Sequence, residues 1–149
     1  MEIITYNPSF KMACIAAFES NLPKFFATDE LRLFENYLER VAHSSYFLVI
    51  ENEKLLACGG IYFDKRSDIG ALAWGMVHAT YHRQGIGRSL FNYRIAQLQE
   101  KYPNKVCQIE TSQHSATFYQ KMGFVVKEIV PNGFAVGIDK YMMDLYPVL

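Results

Sequence analysis

The chain has 149 residues, enough for one domain whose core needs no disulfide or metal staple. Lys plus Arg and Asp plus Glu each total 15, so the formal charge is zero and gives no electrostatic case for nucleic acid or an anionic membrane. Half of the residues are hydrophobic, yet no apolar run approaches a membrane span, and Met1–Thr5 lacks the charged and apolar regions of a secretory signal.

Ile3–Tyr6 reads as a first short strand. Pro8 to about Asn21 reads as a helix with Met12, Ile15, Ala16 and Phe18 apolar, and Leu22–Thr28 as an aromatic connector. Asp29 can cap a second helix reaching about Ala42, with Leu31, Phe34, Leu38 and Val41 on one face. Tyr46–Glu51 and Lys54–Tyr62 read as strands joined by a tight turn at Asn52-Glu53. After a polar loop at Asp64–Asp68, Ile69–His78 is a third long strand. Gly85–Lys101 is a helix with Leu90, Phe91, Ile95 and Leu98 apolar, ended by Pro103, and Lys105–Thr111 is a strand. Ser115–Met122 is a short helix with Gly123 as its C-terminal cap. Phe124–Val130 and about Ile138–Leu145 form a last pair across a turn at Pro131-Asn132-Gly133. The order β-α-α-β-β-β-α-β-α-β-β places the chain in the α/β (α+β) class, as one domain over residues 1–149. Cys14, Cys58 and Cys107 are odd in number, widely spaced and in apolar contexts, which reads as buried free thiols of a cytoplasmic protein.

The segment from Thr80 to Leu90 carries the chemistry. Gly85 and Gly87 flank one residue where a helix must begin, and a helix start offers free N–H groups and partial positive charge. Glycines there clear side chains from the path of a close anion, so the segment reads as a pyrophosphate cradle. A P-loop needs Gly-x-x-x-x-Gly-Lys-Ser/Thr, which is absent. A dinucleotide fingerprint needs a third glycine where Leu90 stands, although Glu110 lies about twenty residues on, where its acidic ribose partner belongs. A plain glycine turn into a helix also fits this segment taken alone.

Two motifs together resemble the GNAT family of N-acetyltransferases. The first is the acetyl-CoA motif, Gln or Arg followed by x-x-Gly-x-Gly/Ala, here at His82–Gly87 with Val77 five residues ahead of it. The second is the helix ending Phe-Tyr-x-Lys-x-Gly-Phe, here Phe118-Tyr119-Gln120-Lys121-Met122-Gly123-Phe124. The resemblance covers most of the chain and is strongest from about position 69 to 145. It implies a mixed, mostly antiparallel sheet with helices on both faces, and acetyl-CoA as acyl donor. The backbone N–H groups of Arg83, Gln84, Gly85, Ile86, Gly87, Arg88 and Ser89 would face the diphosphate, with Arg83 and Arg88 adding charge-assisted bonds. The strand ending at Val77 would splay from the next one, and amides near Met76 and Val77 would hold the pantetheine arm and the thioester carbonyl. Gly75 within that strand points to a bulge or a close backbone approach. His82 departs from the Gln or Arg of the pattern, and a neutral imidazole offers one hydrogen-bond donor there. Ser112 stands where relatives bond the pantetheine, Phe118 packs beside it, and Lys121 could reach the adenosine phosphates or lie solvated.

Tyr119 is the expected acid beside the departing sulfur. A phenol titrates near ~10 and a thiol near ~8.5, so full proton transfer is uphill by about 2 kcal/mol, and the phenol would chiefly hydrogen-bond the leaving thiolate. Relatives that place a glutamate early in the preceding strand have Ala71 as its counterpart here, so Glu110 is the first candidate base and His78 the second. Deprotonation through water is a third route. The acceptor pocket is expected from Leu22–Thr28, Asp64–Asp68 and Pro131–Lys140, with Phe25, Phe26, Trp74, Phe134 and Tyr141 making it apolar. Without a dense acidic cluster, that suggests a small, singly charged amine or a peptide N-terminus. No Cys/His cluster has metal-ligand spacing. A non-catalytic acyl-CoA sensor, another nucleotide-binding α/β domain and a plain interaction module stand as alternatives. The sequence leaves open a homodimer through the C-terminal strands.

Overall fold

The computed structural model describes residues 1–148. Its strands are β1 (Glu2–Thr5), β2 (Tyr46–Glu51), β3 (Lys54–Asp64), β4 (Ile69–Val77), β5 (Cys107–Thr111), β6 (Val125–Ala135) and β7 (Ile138–Leu145). They form one seven-stranded sheet in the order β1-β2-β3-β4-β5-β7-β6, antiparallel except for β4 against β5. The helices are α1 (Lys11–Ser20), α2 (Glu30–Arg40), α3 (Ile86–Lys101) and α4 (Gln113–Lys121). One core holds Phe18, Phe34 and Leu38 of α1 and α2 against Tyr46, Leu48 and Cys58; the other holds Leu90, Leu98 and Tyr119 of α3 and α4 against Phe47, Leu72 and Ile109. Helices therefore cover both faces, the arrangement that the resemblance implies.

The β2–β3 hairpin closes on Asn52 and Glu53 with φ of 52° and 64°, the double left-handed turn whose twist matches two antiparallel strands. Several expectations are corrected. On α1 the buried side chains are Cys14, Ile15, Ala17 and Phe18, while Met12 is 72% exposed; Val41, which follows the last residue of α2, is 50% exposed. Asp29 makes no capping bond to α2; Glu30 instead accepts a hydrogen bond from the Ala27 N–H at 3.2 Å. Helix α4 starts two residues early because Ser112 Oγ accepts from the His114 N–H at 3.2 Å. The last hairpin does not turn at Pro131–Gly133. Strand β6 runs on to Ala135, and Gly137, at φ 83°, lies in the reversal. The intervening residues form a bulge, because Asn132 N–H donates to Asp139 Oδ1 at 2.8 Å while Asn132 Oδ1 accepts from Gly137 N–H at 2.7 Å. A Cβ on Gly133 would come within 2.6 Å of Lys140 Cβ, so glycine serves a close approach there.

What positions the site is the divergence of β4 from β5. They pair only at Gly70↔Cys107 and Ala71↔Gln108. From Leu72 to Val77 the edge of β4 that faces β5 has no strand partner, which leaves backbone groups along it without ladder bonds.

Candidate active site

The gap between the two strands opens into a cleft of about 1210 Å³. One wall is β4 from Ala71 to Val77, and the opposite wall is Gln108–Ser112 of β5 and its end. The start of α3 and part of α4 line it too, as do Lys24–Phe26, Asp29, Glu30 and Leu33.

The β4 wall is shaped by a bulge. Cys58 pairs with Met76 and Gly60 with Ala73, so Trp74 and Gly75 together oppose Gly59. Trp74 takes φ 48°, unusual for a side chain of that size, and its surroundings hold it there. Its indole packs against Phe34 at 5.1 Å and Phe26 at 6.3 Å, and the buried Tyr46 hydroxyl donates to the Trp74 carbonyl at 2.8 Å. Burial raises the Tyr46 phenol well above its ordinary range, so it stays a donor. The bulge also flips the strand. Leu72 and Val77, an odd number of residues apart, both face the α3 core, while Trp74 and Met76 face the α1–α2 core.

The end of β4 is pinned by residues that sequence reading did not single out. Asn21, buried at the end of α1, donates through Nδ2 to the Val77 carbonyl at 3.0 Å and to the Ala17 carbonyl at 2.8 Å. Ser20 Oγ accepts from the Ala79 N–H at 2.9 Å. His82 Nε2 lies 2.9 Å from the same Val77 carbonyl, and since a carbonyl only accepts, Nε2 carries the proton. That N–H is thus spent inside the protein, on the end of β4.

Gly85, at φ 78°, starts α3, and the first helical bond runs from the Ser89 N–H to the Gly85 carbonyl at 3.2 Å. The N–H groups of Ile86, Gly87 and Arg88 are thus left without helical partners. Arg83, Gly85, Gly87 and Arg88 line the cleft. Gln84, Ile86 and Ser89 are not in its wall: Ile86 is core, and Ser89 Oγ donates to the Gly85 carbonyl at 3.3 Å. A Cβ on Gly87 would meet Val77 Cγ2 at 3.5 Å and Phe118 Cε1 at 3.7 Å, ordinary contact, so the protein itself leaves this position room for more than hydrogen.

Met76, Val77, Ser112, Phe118, Tyr119 and Lys121 also reach the cleft. The Tyr119 ring is 7% exposed, set edge-to-face against Phe91, Phe118 and Phe124. Among the described residues its hydroxyl has no hydrogen-bond partner. Glu110 is in the wall, about half exposed, with one oxygen 3.7 Å from Lys140 Nζ. His78 is not in the wall, because its Nδ1 accepts from the Thr80 N–H at 3.2 Å and caps the short turn after β4. The Asp64–Asp68 loop and Tyr141 are also outside; that loop lies at the far end of β4, where Asp68 pairs with Lys105 at 2.7 Å. Phe25, Phe26, Trp74 and Phe134 do line the cleft, as expected.

Three further residues were missed. His114 lines the cleft, edge-to-face with Phe25, which stands likewise against His82. Glu30 lines the cleft, its carboxyl raised by burial. Arg94 is the third. It is 2% exposed yet lines the cleft. Its signal was present in the sequence: position 94 is four after Leu90 and four before Leu98, on the apolar stripe of α3.

Among the described residues no group of His, Cys, Asp and Glu could hold a metal, and no helix is long and apolar enough to cross a membrane. No curated protein sequence matches the chain. Solved structures of the same fold include Ard1 from Thermoplasma volcanium, at 16% identity over 99% of this chain and 98% of that one, with a TM-score of 0.81. The ribosomal-protein-S18-alanine N-acetyltransferase of Escherichia coli gives 19% identity over 99% and 94%, with a TM-score of 0.78. An aminoglycoside 6'-N-acetyltransferase complexed with coenzyme A gives 14% identity over 100% and 98%, with a TM-score of 0.79. The sequence model of the acetyltransferase (GNAT) domain matches residues 42–126, more than half of the chain and the whole of the splayed-strand and cradle region. The chain belongs to the GNAT family of acetyltransferases.

Proposed function

We propose that the chain, as one domain over residues 1–149, transfers an acetyl group from acetyl-CoA to the primary amine of a small molecule or peptide by direct attack in a ternary complex. The observation that carries this reading is the continuity of one cleft, from the free N–H groups at the start of α3, along the unpaired edge of β4, to Tyr119. Cradle amides with Arg83 and Arg88 take the diphosphate. Amides near Met76 and Val77 take the thioester carbonyl and stabilise the oxyanion that develops on it, while Tyr119 donates to the departing sulfur. Ser112 and Phe118 flank the pantetheine.

Glu110 is the candidate base, and its contact with Lys140 is the observation that favours a second reading, a non-catalytic acyl-CoA sensor. The acceptor end supports an amine: Asp29, Glu30 and Glu110 bring carboxylates to an aromatic pocket. The similar proteins include one named for a ribosomal-protein alanine and one for an aminoglycoside, both amine acceptors. Three free buried thiols fit a cytoplasmic location. Strand β6, at the sheet edge with Val125 and Ile129 each 46% exposed, is the surface for a homodimer.

Isothermal titration with acetyl-CoA, with NADH as control, is the test. Binding near one per chain followed by turnover on an amine panel supports the enzyme. Binding without turnover on any amine leaves the sensor, and no binding removes both.

A further inference from the structure

Arg94 is the one described residue with a buried side-chain polar atom that has no hydrogen-bond partner, its Nε. A guanidinium stays charged at any physiological pH, and a buried charge without a counter-ion is strongly unfavourable. Among the described residues no carboxylate pairs with it, and its hydrogen bond is a long one, from Nη1 to the Gly60 carbonyl at 3.4 Å. The chain nevertheless makes room for it. A Cβ on Gly75 would come within 2.7 Å of Nη2, and a Cβ on Gly59 within 3.0 Å of the guanidinium carbon. Both glycines belong to the bulge pairing, so the sheet leaves a hole that the guanidinium fills from the α3 side. The space beyond is the cleft.

We infer that Arg94 is an acyl-group subsite, which takes a carboxylate at the far end of the acyl chain, so that the preferred donor is a short dicarboxylic acyl-CoA such as the malonyl or succinyl ester. The inference rests on the CoA-thioester reading above, keeps its cleft and its chemistry, and puts a carboxylate-bearing acyl group in place of acetyl as the preferred donor. Three placements put the carboxylate on the donor rather than on the acceptor. Arg94 projects from the same helix that forms the cradle, two turns (about 10 Å of rise) beyond Gly87. Its guanidinium lies against Gly75, next to the Met76 and Val77 amides assigned to the thioester carbonyl, so a chain continuing past that carbonyl meets it. The acceptor end packs on the other face, where the indole of Trp74 points. The reaction is otherwise unaltered. The amine nitrogen forms a bond to the thioester carbon, the C–S bond breaks with its electron pair on sulfur, and one amine proton ends on the thiol. The distal carboxylate takes no part and leaves on the amide product.

The test is equilibrium binding of CoA, acetyl-CoA, butyryl-CoA and succinyl-CoA to the wild-type chain and to Arg94→Met. Butyryl is succinyl's four-carbon neutral counterpart. Succinyl-CoA binds the wild type about 10- to 100-fold tighter than butyryl-CoA, the range for one charge-assisted contact, and Arg94→Met removes that difference while leaving CoA affinity in place. Equal affinities in the wild type overturn the inference without needing the variant to fold, and so does a preference that survives Arg94→Met. CoA binding without discrimination sinks this inference alone, whereas failure of CoA itself to bind sinks the function proposed above with it. Should Arg94→Met instead raise KM for carboxylate-bearing amines, with donor affinities unmoved, the carboxylate belongs to the acceptor and the inference is wrong.

Discussion

The two ends of the cleft are built from different materials. At the end proposed to take the diphosphate, the groups on offer are mostly backbone: the N–H groups of the first turn of α3 and the unpaired edge of β4. At the end proposed for the acceptor they are side chains, from the Lys24–Phe26 connector, the start of α2 and Phe134 near the last hairpin. A backbone site is fixed wherever an element starts, stops or loses its partner, so it tolerates changes of side chain but not of chain path. A side-chain site on loops has the opposite tolerance.

The sharpest way to break this contrast is Gly87→Glu. The nearest protein atoms to a new Cβ lie at ordinary contact distance, so the fold accepts the change. A carboxylate set over the free N–H groups should cost CoA affinity on the order of 1,000-fold, two charge-assisted bonds' worth. Titration calorimetry beside an unchanged melting temperature checks it; retained affinity would mean that the phosphates bind elsewhere. Next in size is Tyr119→Phe, expected to lower kcat about 100-fold with CoA affinity intact. An unchanged kcat would remove its role in thiolate departure.

That contrast also explains what the sequence made legible. The cradle and the splayed strand were readable because Gly85, Gly87 and Val77 mark where elements begin and end. The element order, and the β2–β3 turn at Asn52-Glu53, follow from local signals of the same kind. Asn21, Ser20 and Tyr46 were not readable. Each acts through a partner 28 to 59 positions away in the chain, and no local pattern encodes such a pairing. The Pro131–Gly133 segment carried a strong turn signal that lost to Asn132 and Asp139 bridging the two strands beyond it. Arg94 is legible as a cation on the apolar stripe of α3, but the hole at Gly59 and Gly75 that receives it arises from strand pairing far along the chain, which no local pattern encodes.

Side chains that support backbone geometry give the middle-sized effects. Tyr46→Phe leaves the Trp74 carbonyl without its donor in a buried bulge, a loss of about 1–3 kcal/mol, or several degrees of melting temperature in a chain of this length. Arg94→Met should move the other way. It keeps the apolar stem and removes an unpaired buried charge, so the ligand-free protein should gain about 1 kcal/mol. A scan without ligand reads both, and opposite signs would separate a residue that holds the site's shape from one held for a ligand's charge.

The smallest effect belongs to the acceptor end and is a matter of sign. Burial raises the Glu30 carboxyl above its ordinary value of 4.5, and the hydrogen bond from the Ala27 N–H only partly offsets it. The folded state therefore holds this proton more tightly than the unfolded chain. Glu30 contributes stability below pH 4.5, and that contribution is lost as pH rises through the raised value. Glu30→Gln abolishes this one titration, so the difference in unfolding free energy between variant and wild type should increase in favour of Gln across that window and then level off. Denaturant titrations from pH 4 to 7 measure it; a difference that stays flat would mean that Glu30 is as well solvated in the fold as in the open chain. An amine bound beside the carboxylate would favour its charged form and reverse the trend, so repeating the series with a bound acceptor tests whether this end of the cleft receives a cation.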